Sequence, residues 1–285
     1  MRVACIQMRS STNMERNIIV LEGFIREAAR EGAKYIQTPE MTGVLHRNRK
    51  GLFAEIGNSK NDPLVMRASE LAAELGIWLH IGSHAIALGD EKAANRAFLF
   101  SPSGTLVTTY DKIHMFDVDL DNGETWRESD VYQPGQKACL VGTDFGKFGM
   151  SICYDIRFPH LYRTYALAGA EILTAPAAFT QQTGRAHWHT LLRTRAIENG
   201  AYMIAAAQGG KHEDGRETFG HSLVVNPWGE IIAELEHDEP GVLLADIDLM
   251  DVKKARNKIP NLANSREFLL ENVAFEKSIM TETVA

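Results

Sequence analysis

One cysteine stands where its thiol could act as a nucleophile. Cys153 ends an apolar run that predicts a strand over residues 148–153, and Pro159 then begins a predicted helix. A tight turn before a helix lies beside free backbone amides and the positive end of the helix dipole, which favours the thiolate. The alternative is an inert core thiol, because free cysteine is among the most buried residue types. Cys5 and Cys139 have no helix start after them and take that second interpretation.

A carboxylate and an ammonium group occur in settings that could serve such a nucleophile. Glu40 follows the predicted buried strand 35–38, whereas a merely structural glutamate would lie on a solvated helix face. Lys112 stands among bulky apolar neighbours, directly after a predicted hairpin over residues 96–109. A thiol nucleophile needs a base for its proton and a positive group for the oxyanion. Taken alone, each residue is a weak signal, because most glutamates and lysines are solvated.

The elements that must position these residues alternate along the chain in two similar halves. The first half predicts strand 2–8, helix 13–34, strand 35–38, helix 63–75, strand 77–81 and the hairpin 96–109. The second half predicts strand 148–153, helix 159–168, strand 171–175, a helix from about 185 to 198, strand 202–207 and a hairpin over 222–235. This order predicts an α/β fold, a four-layer αββα sandwich of two mixed sheets with an internal pseudo-twofold repeat. The active site is expected beyond the carboxyl ends of the parallel strands.

Length, composition and charge limit the class of protein. The 285 residues favour one large domain, and 45% hydrophobic with 24% charged residues is typical of a soluble globular enzyme. A net charge of −7 disfavours nucleic acid and anionic membranes as partners. The first residues predict a strand rather than a secretion signal, and no run approaches the roughly 18 apolar residues of a membrane span. Three cysteines favour a reducing cytoplasm over a disulfide framework.

Three segments of the sequence together resemble a known set of motifs. They are Thr-Pro-Glu-Met at 38–41, Tyr-Asp-Lys-Ile-His at 110–114 and Cys-Tyr-Asp-Ile-Arg-Phe-Pro at 153–159. In this order they resemble the three catalytic motifs of the nitrilase superfamily of carbon-nitrogen hydrolases. The resemblance extends from the first strand to about residue 260. Through residues 184–198 and 220–229 the chain is similar to the Nit branch, which contains omega-amidases and deaminated glutathione amidases.

The resemblance implies a catalytic triad of Glu40, Lys112 and Cys153, with no cofactor and no metal. Cys153 would attack an amide carbonyl and form a thioester, and Glu40 would move the protons. Lys112 and the backbone amide of Tyr154 would stabilise the oxyanion. Glu128 resembles the second glutamate that the family places near the triad, where it would orient Lys112, although by itself it is equally well a solvated loop charge.

Further residues are candidates for substrate binding. Arg157 could offer two N–H groups to a substrate carboxylate, and its alternative is a salt bridge at a helix start. Phe179 and Thr183 follow the predicted strand 171–175, in a loop that lines the pocket in the family. Arg185 stands where the resemblance leads us to expect proline, which leaves the exact substrate loop open.

The expected reaction is hydrolysis of a small carboxylate-bearing linear amide to acid plus ammonia. A 2-oxo acid amide such as deaminated glutathione or 2-oxoglutaramate is favoured, through resemblance to the Nit branch. An N-carbamoyl amino acid hydrolase would use the same triad and is the alternative, with a nitrile hydrolase and a non-catalytic metabolite-binding protein behind it.

Other chemistries find little support in the sequence. His187 and His189 are two apart on a predicted helix and cannot share a face for a metal ion. The glycines at 142, 146 and 149 lack the spacing of a nucleotide-binding loop. No histidine occurs in a setting that pairs it with Cys153. Residues 251–285 are expected to be a C-terminal extension, and their polar tail could be a disordered end. The resemblance implies instead that this region packs across a subunit interface, so a homodimer is expected, with higher homo-oligomers open.

Overall fold

Residues 1–89, 91–120 and 123–273 are described by a computed structural model. The first half of the chain contains β1 (Arg2–Gln7), α1 (Met14–Arg30), β2 (Tyr35–Gln37), α2 (Arg49–Glu55), α3 (Pro63–Leu75), β3 (Trp78–Ala87), β4 (Ala93–Phe100) and β5 (Leu106–Asp111). A small hairpin, β6 (Asp117–Asp119) and β7 (Thr125–Arg127), follows it.

The second half repeats the alternation of strands and helices. It contains β8 (Leu140–Thr143), β9 (Gly146–Gly149), α4 (Pro159–Leu167), β10 (Ile172–Thr174), α5 (Gln181–Asn199), β11 (Tyr202–Ala205), β12 (Gly209–Lys211), β13 (Glu217–Phe219), β14 (Leu223–Val225), β15 (Ile231–Glu234), β16 (Gly241–Asp246) and α6 (Met250–Lys258). Two 3-10 turns, Glu128–Asp130 and Cys153–Arg157, lie in the connections.

The two large sheets share one order of strand directions. One sheet runs β16-β1-β2-β3-β4-β5, and the other runs β8-β9-β10-β11-β14-β15. Taken in these directions, neighbours in both sheets pair as antiparallel, parallel, parallel, antiparallel and antiparallel. The predicted sandwich of two mixed sheets with an internal repeat is therefore confirmed.

The order of the layers follows from the alternation of side chains along the strands. In β1, Val3 and Cys5 belong to the core between the two sheets, whereas Ala4 and Ile6 belong to the core beneath the helices. Successive side chains of a strand point to opposite faces, so each sheet buries both of its faces. Helices α1 and α3 cover the first sheet, and α4 and α5 cover the second.

The helices begin and end at residues whose chemistry favours it. Asn13 accepts a hydrogen bond from the Arg16 N–H at the start of α1, and Asp62 caps α3 ahead of Pro63. Gly76 closes α3 in the left-handed conformation that glycine adopts without strain. Among the described residues, no helix combines the length and the apolar character needed to cross a membrane.

The predicted strand that carries the nucleophile is wrong at its end. The predicted strand 148–153 ends at Gly149, and Cys153 lies instead in a 3-10 turn. The alternative of a disordered end does not hold for α6, because Val252 and Ala255 are buried and Asp251 Oδ2 accepts a 3.0 Å hydrogen bond from Tyr202. Residues 274–285 lie outside the described part, and the interface role of residues 251–285 stays a prediction.

The close approach of the two sheets near the strand ends gives a stability prediction. A Cβ at the buried Gly82 would collide with the backbone oxygens of Thr38 and Pro39 and with Pro176 of the other sheet. Gly82→Ala should therefore lower the free energy of unfolding by about 1–3 kcal/mol. Gly23→Ala, at an exposed helical position with open space around it, should raise it by about 0.5–1 kcal/mol. Urea denaturation measures both, and an unchanged stability in Gly82→Ala would contradict the close contact.

Candidate active site

The three predicted catalytic residues lie together in one cavity of about 360 Å³. Glu40 follows β2, Lys112 follows β5, and Cys153 follows β9, so both sheets contribute to the site. The three residues are 4%, 2% and 7% exposed. The Lys112 ammonium donates to Glu40 Oε1 at 2.8 Å. Burial and the charge of the same carboxylate raise the pKa of the Cys153 thiol. The arrangement brings a thiol, a carboxylate and an ammonium group within reach of one substrate carbonyl.

Lys112 lies between two carboxylates. Besides Glu40 it contacts Glu128, whose two oxygens are 3.0 and 2.8 Å from Nζ. The Glu128 side chain is fixed in turn by the Phe116 N–H, which donates to Oε2 at 2.7 Å. Glu128 is thus placed to orient the ammonium group, as the resemblance implied, rather than to lie solvated on a loop.

Asn95 is a member of the site that the sequence analysis missed. Its Nδ2 donates to Glu40 Oε1 at 2.9 Å and to Glu128 Oε1 at 3.0 Å, which joins the two carboxylates from the side of β4. The Ala178 N–H donates to the other oxygen of Glu40 at 2.9 Å. The available signal was an asparagine within the predominantly apolar strand β4, because a buried amide needs hydrogen-bond partners.

Asp155 is the second residue that was missed, and it joins the segments of Lys112 and Cys153. Its fully buried carboxylate accepts from the Ile152 N–H at 2.8 Å and from the Tyr110 hydroxyl at 2.7 Å. On the other oxygen it accepts from the His114 backbone N–H at 3.0 Å. Hydrogen bonds to a buried carboxylate are strong, so Asp155 ties the turn of the nucleophile to the strand that carries the lysine.

The turns that hold the site are strained. Among the described residues, three non-glycine residues have positive φ, and two of them belong to the site: Met41 at 56° and Cys153 at 49°. A side chain other than glycine in this region costs free energy and persists only when its surroundings fix it. The Cys153 N–H donates to Pro176 O at 2.9 Å, which holds the turn against the second sheet.

Burial and charge together set the protonation states. Burial opposes ionisation of Glu40, but the charge of Lys112 together with the hydrogen bonds from Lys112 and Asn95 holds the pKa of the Glu40 carboxyl below its usual value. Burial likewise opposes the charge on Lys112, yet Glu128 and Glu40 raise its pKa well above the usual value. Burial and the Glu40 charge raise the pKa of the Cys153 thiol, which overturns the expectation of a resting thiolate. The resting site is a thiol beside a carboxylate that can accept its proton.

The predicted substrate-binding residues also line the cavity. Arg157 Nη1 lies 3.3 Å from His187 Nδ1, and its guanidinium stacks over Phe179 at 5.5 Å and Tyr154 at 5.9 Å from the ring centroids. The expected alternative, a salt bridge at a helix start, is not found for Arg157 in the described part of the chain. The guanidinium therefore remains available to an anion. Thr183 is buried at the edge of the same cavity.

Helix α5 starts four residues earlier than predicted. The Thr180 hydroxyl caps it and accepts from the Thr183 N–H at 3.4 Å. Thr183 is therefore in the first turn of the helix rather than in a loop. Arg185 is exposed on the same helix and is not among the residues that line the cavity, so the departure from proline does not alter the pocket wall.

A separate group of side chains could hold a metal ion outside the cavity. His189 Nε2 and His221 Nδ1 lie 2.7 and 2.9 Å from the same Glu234 oxygen, and the three ligand-type atoms are within 4.8 Å of one another. Two atoms that each bind zinc at about 2.1 Å are roughly 3.4 Å apart, so the present spacing is that of hydrogen bonds. The group joins α5 to β15, and none of its members lines the cavity of Cys153.

Comparison with known proteins supports what the fold and the site define, a hydrolase that acts on carbon-nitrogen bonds other than peptide bonds. The carbon-nitrogen hydrolase family matches residues 2–257, and the chain belongs to this family. The deaminated glutathione amidase of Yersinia enterocolitica is 38% identical over 267 residues, covering 93% of this chain and 92% of that protein. The mouse deaminated glutathione amidase is 40% identical over 269 residues, covering 93% and 83%.

Solved structures agree with the fold. The NitFhit protein of C. elegans superposes with a TM-score of 0.84 at 32% identity over 93% of this chain, which spans 65% of that longer protein. Nit3 of Saccharomyces cerevisiae, a nitrilase-superfamily member, gives 0.81 at 29% identity, covering 91% of this chain and 94% of the other. An amidase from Nesterenkonia gives 0.76 at 25% identity over 91% and 98%, and acrylamide has added to its active site cysteine in a glutamate-to-glutamine variant.

The electrostatics of the site predict how the thiol reacts. Glu40→Gln removes the negative charge that raises the pKa of the Cys153 thiol and leaves the Lys112 charge that lowers it. The thiol pKa should fall, and alkylation by iodoacetamide at pH 7 should become roughly tenfold faster, because the thiolate is the reactive form. Rates of labelling followed by intact mass spectrometry across pH test this, with Glu15→Gln, an exposed carboxylate of α1, as control. Slower labelling of Glu40→Gln would contradict the assignment.

Proposed function

We propose that this chain hydrolyses deaminated glutathione, with Cys153 as nucleophile, Glu40 as general acid and base and Lys112 as oxyanion donor. The observation that carries the proposal is the buried contact of a thiol, a carboxylate and an ammonium group in a cavity that also presents arginines. The identity of 38–40% over nine-tenths of the chain with amidases of that name supports the substrate.

The substrate suits the shape and the charge of the cavity. Deaminated glutathione is a 2-oxo acid joined through an amide to cysteinylglycine, so it carries one carboxylate on each side of the bond to be cleaved. A cavity of about 360 Å³ is at the small end of the range of ligand pockets. Arg157, four residues after the nucleophile, offers a planar pair of N–H groups to the carboxylate of the oxo acid.

In the first half of the reaction, acylation, proton transfer and nucleophilic attack occur together. Glu40 accepts the proton of the Cys153 thiol as sulfur attacks the amide carbonyl carbon. The oxyanion that forms is stabilised by the Lys112 ammonium and by the Tyr154 N–H, a first-turn amide that has no acceptor within its own 3-10 turn. The protonated Glu40 then gives its proton to the departing nitrogen, the carbon-nitrogen bond breaks, and a thioester remains on Cys153.

Deacylation returns the site to its starting state. Glu40 removes a proton from water, whose oxygen attacks the thioester carbonyl carbon. The same two donors stabilise the second oxyanion, and the carbon-sulfur bond breaks as sulfur regains a proton from Glu40. The products from deaminated glutathione are 2-oxoglutarate and cysteinylglycine, so the expectation of ammonia is wrong for this substrate. The shorter substrate 2-oxoglutaramate would release ammonia in the first step.

The activity test compares substrates and variants. The purified chain should form 2-oxoglutarate from deaminated glutathione, measured with a coupled dehydrogenase. Cys153→Ala should lower kcat by on the order of 10⁴-fold or more, because the covalent route is lost. Lys112→Met, which removes one oxyanion donor, should cost on the order of 10² to 10³-fold. Cys139→Ala, a half-buried thiol outside the cavity, should keep full activity.

Several outcomes would contradict the proposal. Unchanged turnover in Cys153→Ala would exclude the thioester route. Turnover of N-carbamoyl amino acids without turnover of either 2-oxo acid amide would replace the substrate class and leave the triad in place. Absence of all hydrolysis, with Cys153 still labelled by iodoacetamide, would favour a non-catalytic binding protein.

We infer further that the chain forms a homodimer or a higher homo-oligomer through residues 251–285. The support is a run of exposed apolar side chains near the end of the described part, where Phe268 is 88% and Leu269 98% exposed. Single exposed apolar residues are common, but a contiguous apolar run favours contact with another surface. Helix α6 anchors this segment, since Arg256 Nη2 donates to Asn199 O at 3.2 Å.

Light scattering after gel filtration tests the assembly. The wild-type chain should have at least twice the mass of one 31.7 kDa chain. The double variant Phe268→Ser, Leu269→Ser should shift the mass towards that of one chain, because the apolar contact is removed. Ile19→Ser, which changes an exposed apolar residue of α1, is the matched control. A wild-type mass of one chain would contradict the inference.

We place the activity in the cytoplasm. The support is chemical: the proposed nucleophile must stay reduced, and Cys5, Cys139 and Cys153 are all free thiols. A reducing compartment keeps such thiols free.

A further inference from the structure

Two arginines meet on one tryptophan at the wall of the cavity. The guanidinium of Arg47 lies 4.9 Å, and that of Arg216 5.1 Å, from the centroid of the Trp126 indole. All three residues line the cavity that contains Cys153. They come from three separate segments: the connection between β2 and α2, strand β7, and the turn between β12 and β13. We call this group the arginine–tryptophan subsite.

The positive charge of this group is only partly compensated. Arg216 Nε donates to Asp214 Oδ2 at 2.9 Å, which holds the guanidinium in place. Arg47 is exposed and has no ion pair within the described ranges. Asp130 and Glu217 also line the cavity, but neither pairs with Arg47 or Arg216 in the described structure. Glu124 accepts a hydrogen bond from Trp126 Nε1 at 3.2 Å, so a carboxylate lies at the edge of the indole, but it forms no ion pair with Arg47 in the described structure.

The way these arginines are held suits them to bind an anion. A guanidinium over an aromatic face is fixed by cation–π attraction while the N–H groups at its edge stay free. Such N–H groups match the two oxygens of a carboxylate in one plane. Arg216 already has Asp214 as a partner, so a bound anion would supply the opposite charge that Arg47 lacks in the described structure.

We propose that the arginine–tryptophan subsite binds the carboxylate of the leaving group, the terminal glycine carboxylate when the substrate is deaminated glutathione. This inference rests on the proposed function. It further assigns the residues that favour an amide whose leaving group is a peptide over an amide that releases only ammonia. Arg157, which stacks on Tyr154 beside the nucleophile, serves the oxo acid end. A substrate with a carboxylate on each side of the scissile amide thus meets a separate cation at each end.

The test compares three substrates in Arg47→Ala: deaminated glutathione, the same compound with its terminal carboxylate converted to a carboxamide, and 2-oxoglutaramate. KM for deaminated glutathione should rise roughly tenfold or more, with kcat within about twofold, because a charged hydrogen bond to the remote end is lost. The other two substrates, which lack that carboxylate, should be unaffected. The wild-type protein should show the same rise in KM for the carboxamide.

Controls separate the failure of this inference from the failure of the proposed function. Lys50→Ala removes a neighbouring exposed cation that does not line the cavity and should change no parameter. Arg216→Gln should reproduce the effect of Arg47→Ala. If Arg216→Gln does not fold, the comparison of the three substrates in Arg47→Ala still tests the subsite, because Arg47 is exposed. Equal losses on all three substrates, or none on any, would overturn the subsite. Wild-type protein inactive on both 2-oxo acid amides would overturn the proposed function instead.

Discussion

The ammonium group of Lys112, held between Glu40 and Glu128 in a site nearly closed to water, is the interaction on which the site depends. Buried charges are tolerated only when partners compensate them, and this cation has carboxylates on two sides. Burial alone would raise the pKa of the Glu40 carboxyl, but the charge of Lys112 and the hydrogen bonds from Lys112 and Asn95 together lower it and keep Glu40 ionised. The carboxylate that balances the lysine is therefore also the one available to remove the proton of the thiol.

Burial and the neighbouring charges also determine that the Cys153 sulfur is protonated in the resting site. A helix start next to Cys153 would favour thiolate if the turn were open to water, but burial and the adjacent carboxylate act in the opposite direction. In the proposed mechanism, proton transfer to Glu40 therefore accompanies the attack on the substrate rather than preceding it. Asp155 makes this coupling dependable, because it fixes the turn of the nucleophile to the segments on both sides of Lys112.

The catalytic candidates could be predicted because the motifs that resemble the nitrilase superfamily are short local runs of sequence, at 38–41, 110–114 and 153–159. Without that resemblance, Glu40 and Lys112 were each a weak signal. Asn95 and Asp155 were missed because their partners lie tens of residues away and depend on the register of both sheets. The thiolate expectation failed for a related reason, since helix dipoles are visible in a sequence whereas burial is not. The early start of α5 was missed because the capping role of Thr180 shows only in three dimensions.

The two halves of the chain share one topology but carry different side chains at equivalent positions. Pro39 and Pro176 follow the equivalent strands β2 and β10 at the same offset, and the next residue is Glu40 in one half and Ala177 in the other. Each half thus offers a comparable position, but the proposed acid–base group occupies that position in the first half only, and the proposed nucleophile, Cys153, comes from the second half. Under the proposed mechanism neither half alone could support turnover. A folding intermediate in which only one of the two sheets has formed would therefore show no hydrolytic activity.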